Sequence, residues 1–198
     1  IAGYVRLILL IASWCFYDSR PLLSISLYCS SAFLDAVDGF LARKLNQTSA
    51  FGAWFDVVID NLGRGMIWCR TYHIGYLVSS LEWMTFACTH QRGASWKGVN
   101  QRDPWLVRAV MANNFRNLCG VMSVGSLHVL PVWLFCDYHG LLTNWAIPLA
   151  VQHLVIGLLA AGRAMCAAVE TWFIWSHIQY LCSDEANRPA AAIDADDK

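Results

Sequence analysis

Apolar residues run through this chain in long blocks separated by short polar turns. Ile1–Tyr17 is the first block, interrupted by Arg6, and Asp18-Ser19-Arg20-Pro21 is the turn that follows. Further blocks run from Leu22 to about Leu45, from about Phe51 to Arg70 and from about Ile74 to Cys88, with a turn over Asn46–Ala50. A polar loop from Thr89 to Pro104 precedes a fifth block, roughly Leu106–Phe135, whose polar run Asn113-Asn114-Phe115-Arg116-Asn117 predicts a break or bend. The sixth block starts near Asn144 and reaches Ala161 or beyond, with Pro148 expected to kink it. Apolar runs of this length match helices that cross a bilayer. The pattern predicts an all-α, polytopic membrane protein, a six-transmembrane-helix bundle.

Beyond Gly162 two readings stay open. Met165–Leu181 either extends the last helix past the membrane or lies along its surface, where Trp172, Trp175 and Tyr180 suit the headgroup zone. Residues 1–182 form one membrane domain in this reading, and 183–198 an acidic, Ala-rich tail expected to be disordered. The sequence opens on Ile1 without a Met, so a natural N-terminal segment is expected to precede it. The first block is too long and too evenly apolar for a signal-peptide core.

Composition narrows the partners. A chain that is 57% hydrophobic and 14% charged is too apolar for an ordinary soluble domain. Zero net charge removes the electrostatic case for nucleic acid. The eight Cys contain no C-x-x-C pair and the His no ligand-spaced pair, which argues against zinc and against a redox dithiol. Cations cluster at one set of block ends: Arg43, Lys44, Arg92, Lys97, Arg102 and Arg108, with Arg163 and Arg188 if six spans hold. The other set has mainly Arg20 and Arg70. The positive-inside bias therefore puts the Arg43 end on the cytosolic side.

The chemistry concentrates between Leu34 and Asn61. Asp35 and Asp38 are three apart and Asp56 and Asp60 four apart, so on helices each pair projects from one face. The short turn between the second and third blocks makes them antiparallel, which is expected to oppose the two pairs. Four carboxylates in apolar surroundings are costly unless neutralised, and a divalent cation between them keeps all four ionised. Hard oxygen donors without nearby His or Cys favour Mg²⁺ or Mn²⁺. Gly39, Ala42 and Gly52 keep these faces thin, and the forked donors of Arg43 suit a phosphate oxygen. Pairing of the acids with Arg43 and Arg64 is the plainer alternative, but leaves most of the four unpaired. Arg6 has two open readings: snorkelling to the headgroups, or reaching a ligand phosphate from a neighbouring helix.

These eight positions, Asp35-x-x-Asp38-Gly39-x-x-Ala42-Arg43, then Gly52, Asp56 and Asp60, resemble the signature of the CDP-alcohol phosphatidyltransferases. Gly3-Tyr4-Val5-Arg6, Leu45-Asn46-Gln47 and Phe51-Gly52-Ala53 are most similar to the eukaryotic phosphatidylinositol synthases, and weaker likeness continues through Leu81-Glu82-Trp83. The resemblance implies a six-helix bundle with a cytosol-facing polar cavity in the endoplasmic reticulum membrane. It implies transfer of a phosphatidyl group from CDP-diacylglycerol to myo-inositol, with CMP leaving. Asp35, Asp38, Asp56 and Asp60 would hold Mg²⁺ or Mn²⁺; Asp60 would also take the proton of the attacking hydroxyl. Gly39, Ala42, Arg43 and Gly52 would form the CDP slot, and a homodimer is expected on the resemblance alone.

One departure matters. Family members often carry a basic residue after the fourth Asp, where this chain has Asn61, with Arg64 one turn along as a substitute. Asn113, Asn114, Asn117 and Gln152 are candidate contacts for a neutral polyol. A different alcohol acceptor and a catalytically silent membrane scaffold are the rival readings.

Overall fold

The computed structural model describes residues 2–45, 47, 49–90, 98, 100–101 and 103–183. Arg92, Lys97, Arg102, Arg188, Asn46 and the tail beyond 183 lie outside the described residues. Those described form helices α1 (Ala2–Cys15), α2 (Pro21–Lys44), α3 (Ala50–Thr71), α4 (Gly75–Thr89), α5 (Trp105–Met111), α6 (Leu118–Tyr138), α7 (Leu141–Asn144) and α8 (Leu149–Leu181), with no strand among them.

Three of these, α2, α6 and α8, are long and apolar enough to cross a membrane by length and composition; α1 is apolar but shorter. Only 17% of the apolar window of α2 is buried within the bundle. Ile8, Trp14, Phe33, Leu118 and Leu154 likewise point outward, as side chains suited to lipid rather than to water. The arrangement is therefore inside-out relative to a soluble protein: much of the apolar surface faces out, and charge is held within.

Helix α3 is the central element. Within its second half six consecutive residues, Gly63 to Trp68, are enclosed on every side, the mark of an interior stretch of helix. Helix α1 packs against both α2 and α3, whereas α2 and α3 touch each other at few positions. The hairpin expected to oppose the acidic pairs directly is therefore splayed, and α1 fills the gap. Gly3 makes this close approach practicable, because a Cβ there would lie 2.8 Å from the Phe55 ring.

Small hydroxyl residues stitch α1 to α2. Ser13 Oγ donates to the Ser24 carbonyl and Ser24 Oγ to the Ser13 carbonyl, each at 2.8 Å, and both side chains are buried. Ser31, two turns along the same face, donates to the Arg6 carbonyl at 3.2 Å. Ser26 and Ser30 are exposed and donate to their own i−4 carbonyls, so only one stripe of the serines in α2 serves helix contact.

The fifth block breaks where its polar run predicted. Helix α5 ends at Met111, a 3₁₀ turn covers Ala112–Phe115, and Asn113 and Asn114 adopt left-handed backbone at φ 53° and 54°, a conformation Asn tolerates better than most residues. Pro148 acts differently from expectation: it stands at the N-cap of α8 and begins the helix instead of kinking it, consistent with a residue that has no amide hydrogen to lose there. Helix α8 then continues unbroken to Leu181. At 33 residues it is about 50 Å long, more than the hydrocarbon thickness of a bilayer, and Met165–Leu181 extends the last helix.

Arg163 departs from the expectation that it marks a membrane surface; it is buried in α8, 7% exposed. At the opposite end of the bundle, Arg70 pairs with Asp18 and lies over the Tyr17 ring, 4.4 Å from its centroid.

Contact between α6 and α8 rests on Gly162, where an added Cβ would meet Ser126 Oγ and the Met122 carbonyl. Gly162→Val is expected to destabilise the bundle by about 1–3 kcal/mol through overpacking, read as a lower unfolding midpoint of the detergent-solubilised protein, with Gly157→Val, in open space, as the control.

Candidate active site

The motif begins in the last third of α2 and ends in the first half of α3. Ser49 caps α3 by accepting a hydrogen bond from the Gly52 amide at 3.0 Å, which satisfies one orphan donor of the first turn. One and two turns further along stand Asp56 and Asp60. Their spacing places both on the face turned toward α1.

There they meet Arg6. Its Nη1 lies 2.5 Å from Asp35 Oδ1 and 2.9 Å from Asp56 Oδ1, and its Nη2 lies 2.6 Å from Asp60 Oδ1. Carboxylates from two different helices thus converge on one guanidinium supplied by a third. Arg6 is 1% exposed, whereas the three acids keep 30–41% of their side-chain surface open. The cation is sealed inside and the acids form its wall toward the outside. Asp38 is within electrostatic range of Asp35 and Asp56 but does not contact Arg6.

Arg6 does not snorkel to the bundle surface: it is buried, reaches from its own helix to the acids of the two neighbouring helices and lines the pocket beside Asp60. It pairs with three of the four acids, and of the two cations in the plainer alternative Arg64 comes within 3.9 Å of Asp60. The signal was present: an unpaired cation in an apolar helix must find an anion, and the acids of the motif were the nearest supply.

The remaining motif residues divide. Gly39, Ala42 and Arg43 lie along the exposed end of α2, and the Arg43 guanidinium folds back over Gly39, where a Cβ would come within 3.3 Å of its Nη1. The room left by that glycine is shared with its own helix. Gly52 sits at the start of α3, leaving space beside the Ser49 hydroxyl.

Arg64 is committed elsewhere. It is 5% exposed, its Nε donates to Glu82 Oε2 at 2.8 Å and its Nη2 to Asn61 Oδ1 at 2.5 Å. Its Nη1 faces His128 Nδ1 at 3.3 Å and stands 3.9 Å from Asp60 Oδ2. Because a guanidinium only donates, His128 Nδ1 is the acceptor and bears no proton. Glu82 also receives Arg163 Nη2 at 3.4 Å, and Arg163 Nη1 donates to Glu170 at 2.8 Å. This charge-balanced chain of two Arg and two Glu runs from α3 through α4 to α8 and abuts Asp60. Asn61 is its anchor, so the missing basic residue after the fourth Asp is replaced by a hydrogen-bond acceptor for Arg64, not by a second cation facing ligand.

Two of the four polyol candidates bond to backbone groups. Asn117 caps α6, accepting from the Gly120 amide at 2.9 Å and donating to the Ala112 carbonyl at 2.7 Å; Gln152 donates to the Ile147 carbonyl at 2.7 Å. Asn113 and Asn114 are exposed. A small, open-mouthed pocket lies beside Asp60, bounded by Arg6, Tyr28, Ser31, Gly63 and His128.

The chemistry of this donor set fits a hard divalent cation. All donors are carboxylate oxygens, and the group already encloses a buried positive charge. Among the described residues no three acids or other ligating side chains stand close enough to enclose an ion as they are, since the guanidinium separates them.

A family model for CDP-alcohol phosphatidyltransferases matches residues 3–180. The chain belongs to the CDP-alcohol phosphatidyltransferase family. Members generally use divalent metal ions. Within the family the chain is similar to CDP-diacylglycerol–inositol 3-phosphatidyltransferases: 30% identical to that of Schizosaccharomyces pombe over 58% of this chain and 53% of the relative. To that numbered 1 of Arabidopsis thaliana it is 34% identical over 57% and 55% respectively. To the probable second enzyme of Arabidopsis thaliana it is 31% identical over 81% and 76%. The chain thus spans about half the length of the first two curated relatives it matches. No solved structure matches it.

Removal of Glu82 takes from buried Arg64 its closest carboxylate and leaves Arg163 with Glu170 alone. Glu82→Leu is expected to lower stability by about 3 kcal/mol, measured as a shift of the unfolding midpoint in detergent; a shift below about 0.5 kcal/mol, the range of ordinary surface changes, would show that the chain of charges contributes nothing.

Proposed function

We propose that this family member transfers a phosphatidyl group from CDP-diacylglycerol to myo-inositol, forming phosphatidylinositol and CMP. The observation that carries the reading is the convergence of Asp35, Asp56 and Asp60, from two helices, on one buried cation. Carboxylates gathered in an apolar bundle need a cationic occupant, and a diphosphate substrate needs one as well. The names of the relatives supply the acceptor.

Asp35, Asp38, Asp56 and, in part, Asp60 hold a divalent cation, Mg²⁺ or Mn²⁺, whose chemistry when bound is to offset charge on the diphosphate and the departing CMP. Gly39, Ala42, Arg43 and Gly52 form the CDP slot: the exposed Arg43 guanidinium moves from its own glycine to a phosphate oxygen. The two acyl chains stay in lipid beside the outward apolar face of α2 while the head approaches the open side of the carboxylate group. Asp60 accepts the proton of the attacking inositol hydroxyl as its oxygen bonds to the phosphorus that carries diacylglycerol and the bond to the CMP oxygen breaks.

The same proposal includes six membrane spans, an endoplasmic reticulum location, a cytosol-facing site and a homodimer. Charge distribution supports the orientation: Arg43 and Lys44 flank the motif turn, and the Arg70–Asp18 pair marks the other end.

Purified protein given CDP-diacylglycerol is expected to release CMP only with a divalent cation and myo-inositol together, and chelation abolishes release. Asp60→Asn is expected to reduce the rate by about 10²–10⁴. Release with another alcohol in preference to inositol reassigns the acceptor, and no release with any alcohol leaves the scaffold reading in its place.

A further inference from the structure

We propose that Arg6 is a resident counter-ion of the carboxylate group, and that a divalent cation and the Arg6 guanidinium compete for it, so that the ion enters as Arg6 withdraws. The inference rests on the metal-site reading above and adds to it a residue that sets the strength and selectivity of ion binding.

Three features carry it. Both terminal nitrogens of Arg6 are engaged by carboxylates, and Nη1 is shared between Asp35 of α2 and Asp56 of α3. An ion bridging those two helices must come into the space that this nitrogen occupies. Second, a guanidinium and a divalent cation within a few ångströms of each other in a buried site repel strongly, so the acids bind one well only by releasing the other. Third, the side chain is not locked along its length. Its Nε is buried with no hydrogen-bond partner among the described residues, and a cavity lies directly beside it, with Tyr28, Ser31 and His128 as polar walls. A shift of the guanidinium toward these walls lengthens its contacts with the carboxylates and leaves the three acids facing one another.

The pairing has a use before any ion arrives. Helices α2 and α3 touch at few positions, and three mutually repelling acids would push them apart. Arg6 holds them in register from α1. A singly charged ion gains little by replacing a fixed guanidinium, whereas a doubly charged one gains more, so the exchange also discriminates against monovalent cations.

The test is a Mn²⁺ titration of the full chain in detergent, with free Mn²⁺ followed by electron paramagnetic resonance, on wild type, Arg6→Gln, Arg6→Lys and Asp56→Asn. Ordinary structural damage weakens ion binding, whereas competition predicts the opposite sign. Arg6→Gln is expected to bind Mn²⁺ roughly tenfold or more tightly than wild type, as linkage between competing ligands requires. It is also expected to unfold at a lower temperature without Mn²⁺, with the gap closing at saturation. Arg6→Lys, a single point charge in place of a fork, is expected to fall between the two, and carries the test if Arg6→Gln does not fold. Equal or weaker Mn²⁺ binding by the folded Arg6 variants overturns the proposal while leaving the metal site standing. Absence of Mn²⁺ binding in wild type and all variants alike removes the metal-site reading and this one with it.

Discussion

One guanidinium, enclosed by three carboxylates, is the constraint on which the arrangement of the first three helices depends. In water such a group would be worth little, because solvent screens it and the side chains lose freedom in forming it. Inside the bundle the balance changes for Arg6: it is sealed from solvent, so loss of its carboxylate partners leaves a buried charge uncompensated, whereas the acids, 30–41% open, keep some solvent. Arg6 therefore positions α1 between α2 and α3, and the helix pair adjacent in sequence is joined by the helix before it.

The same principle recurs on the other side of Asp60. Arg64, Glu82, Arg163 and Glu170 are each less than 9% exposed and form a neutral chain across three helices. Asp60 stands where the two systems meet, 2.6 Å from Arg6 and 3.9 Å from Arg64. A residue proposed to accept a proton thus sits between two fixed cations, one on the helix that bears it and one from α1. These two charge systems lie between helices, while much of the apolar surface faces outward.

Much of this was legible from residue order. The acidic pairs, their helical faces, the glycines of the motif and the break at Asn113-Asn114 follow from local spacing and local backbone preference, as does the assignment to a family by eight fixed positions. Pro148 was read as a kink because it falls inside an apolar block; its place at the start of α8 depends on Ala146 turning to left-handed backbone at φ 57°, which apolar patterning does not register. The neutral amides Asn117 and Gln152 looked like ligand contacts because side-chain chemistry alone cannot separate a cap from a binding group.

What residue order determined by itself is therefore which groups exist and which face of which helix carries them, because periodicity of 3.6 is a property of the covalent chain and its backbone hydrogen bonds. Which group each one meets was decided by tertiary packing. Arg6 and Asp60 are 54 residues apart, and Arg163 and Glu82 are 81 apart. No local rule pairs charges over such distances. They meet because unpaired charge is excluded from an apolar interior, and only the packed bundle determines which partner is within reach.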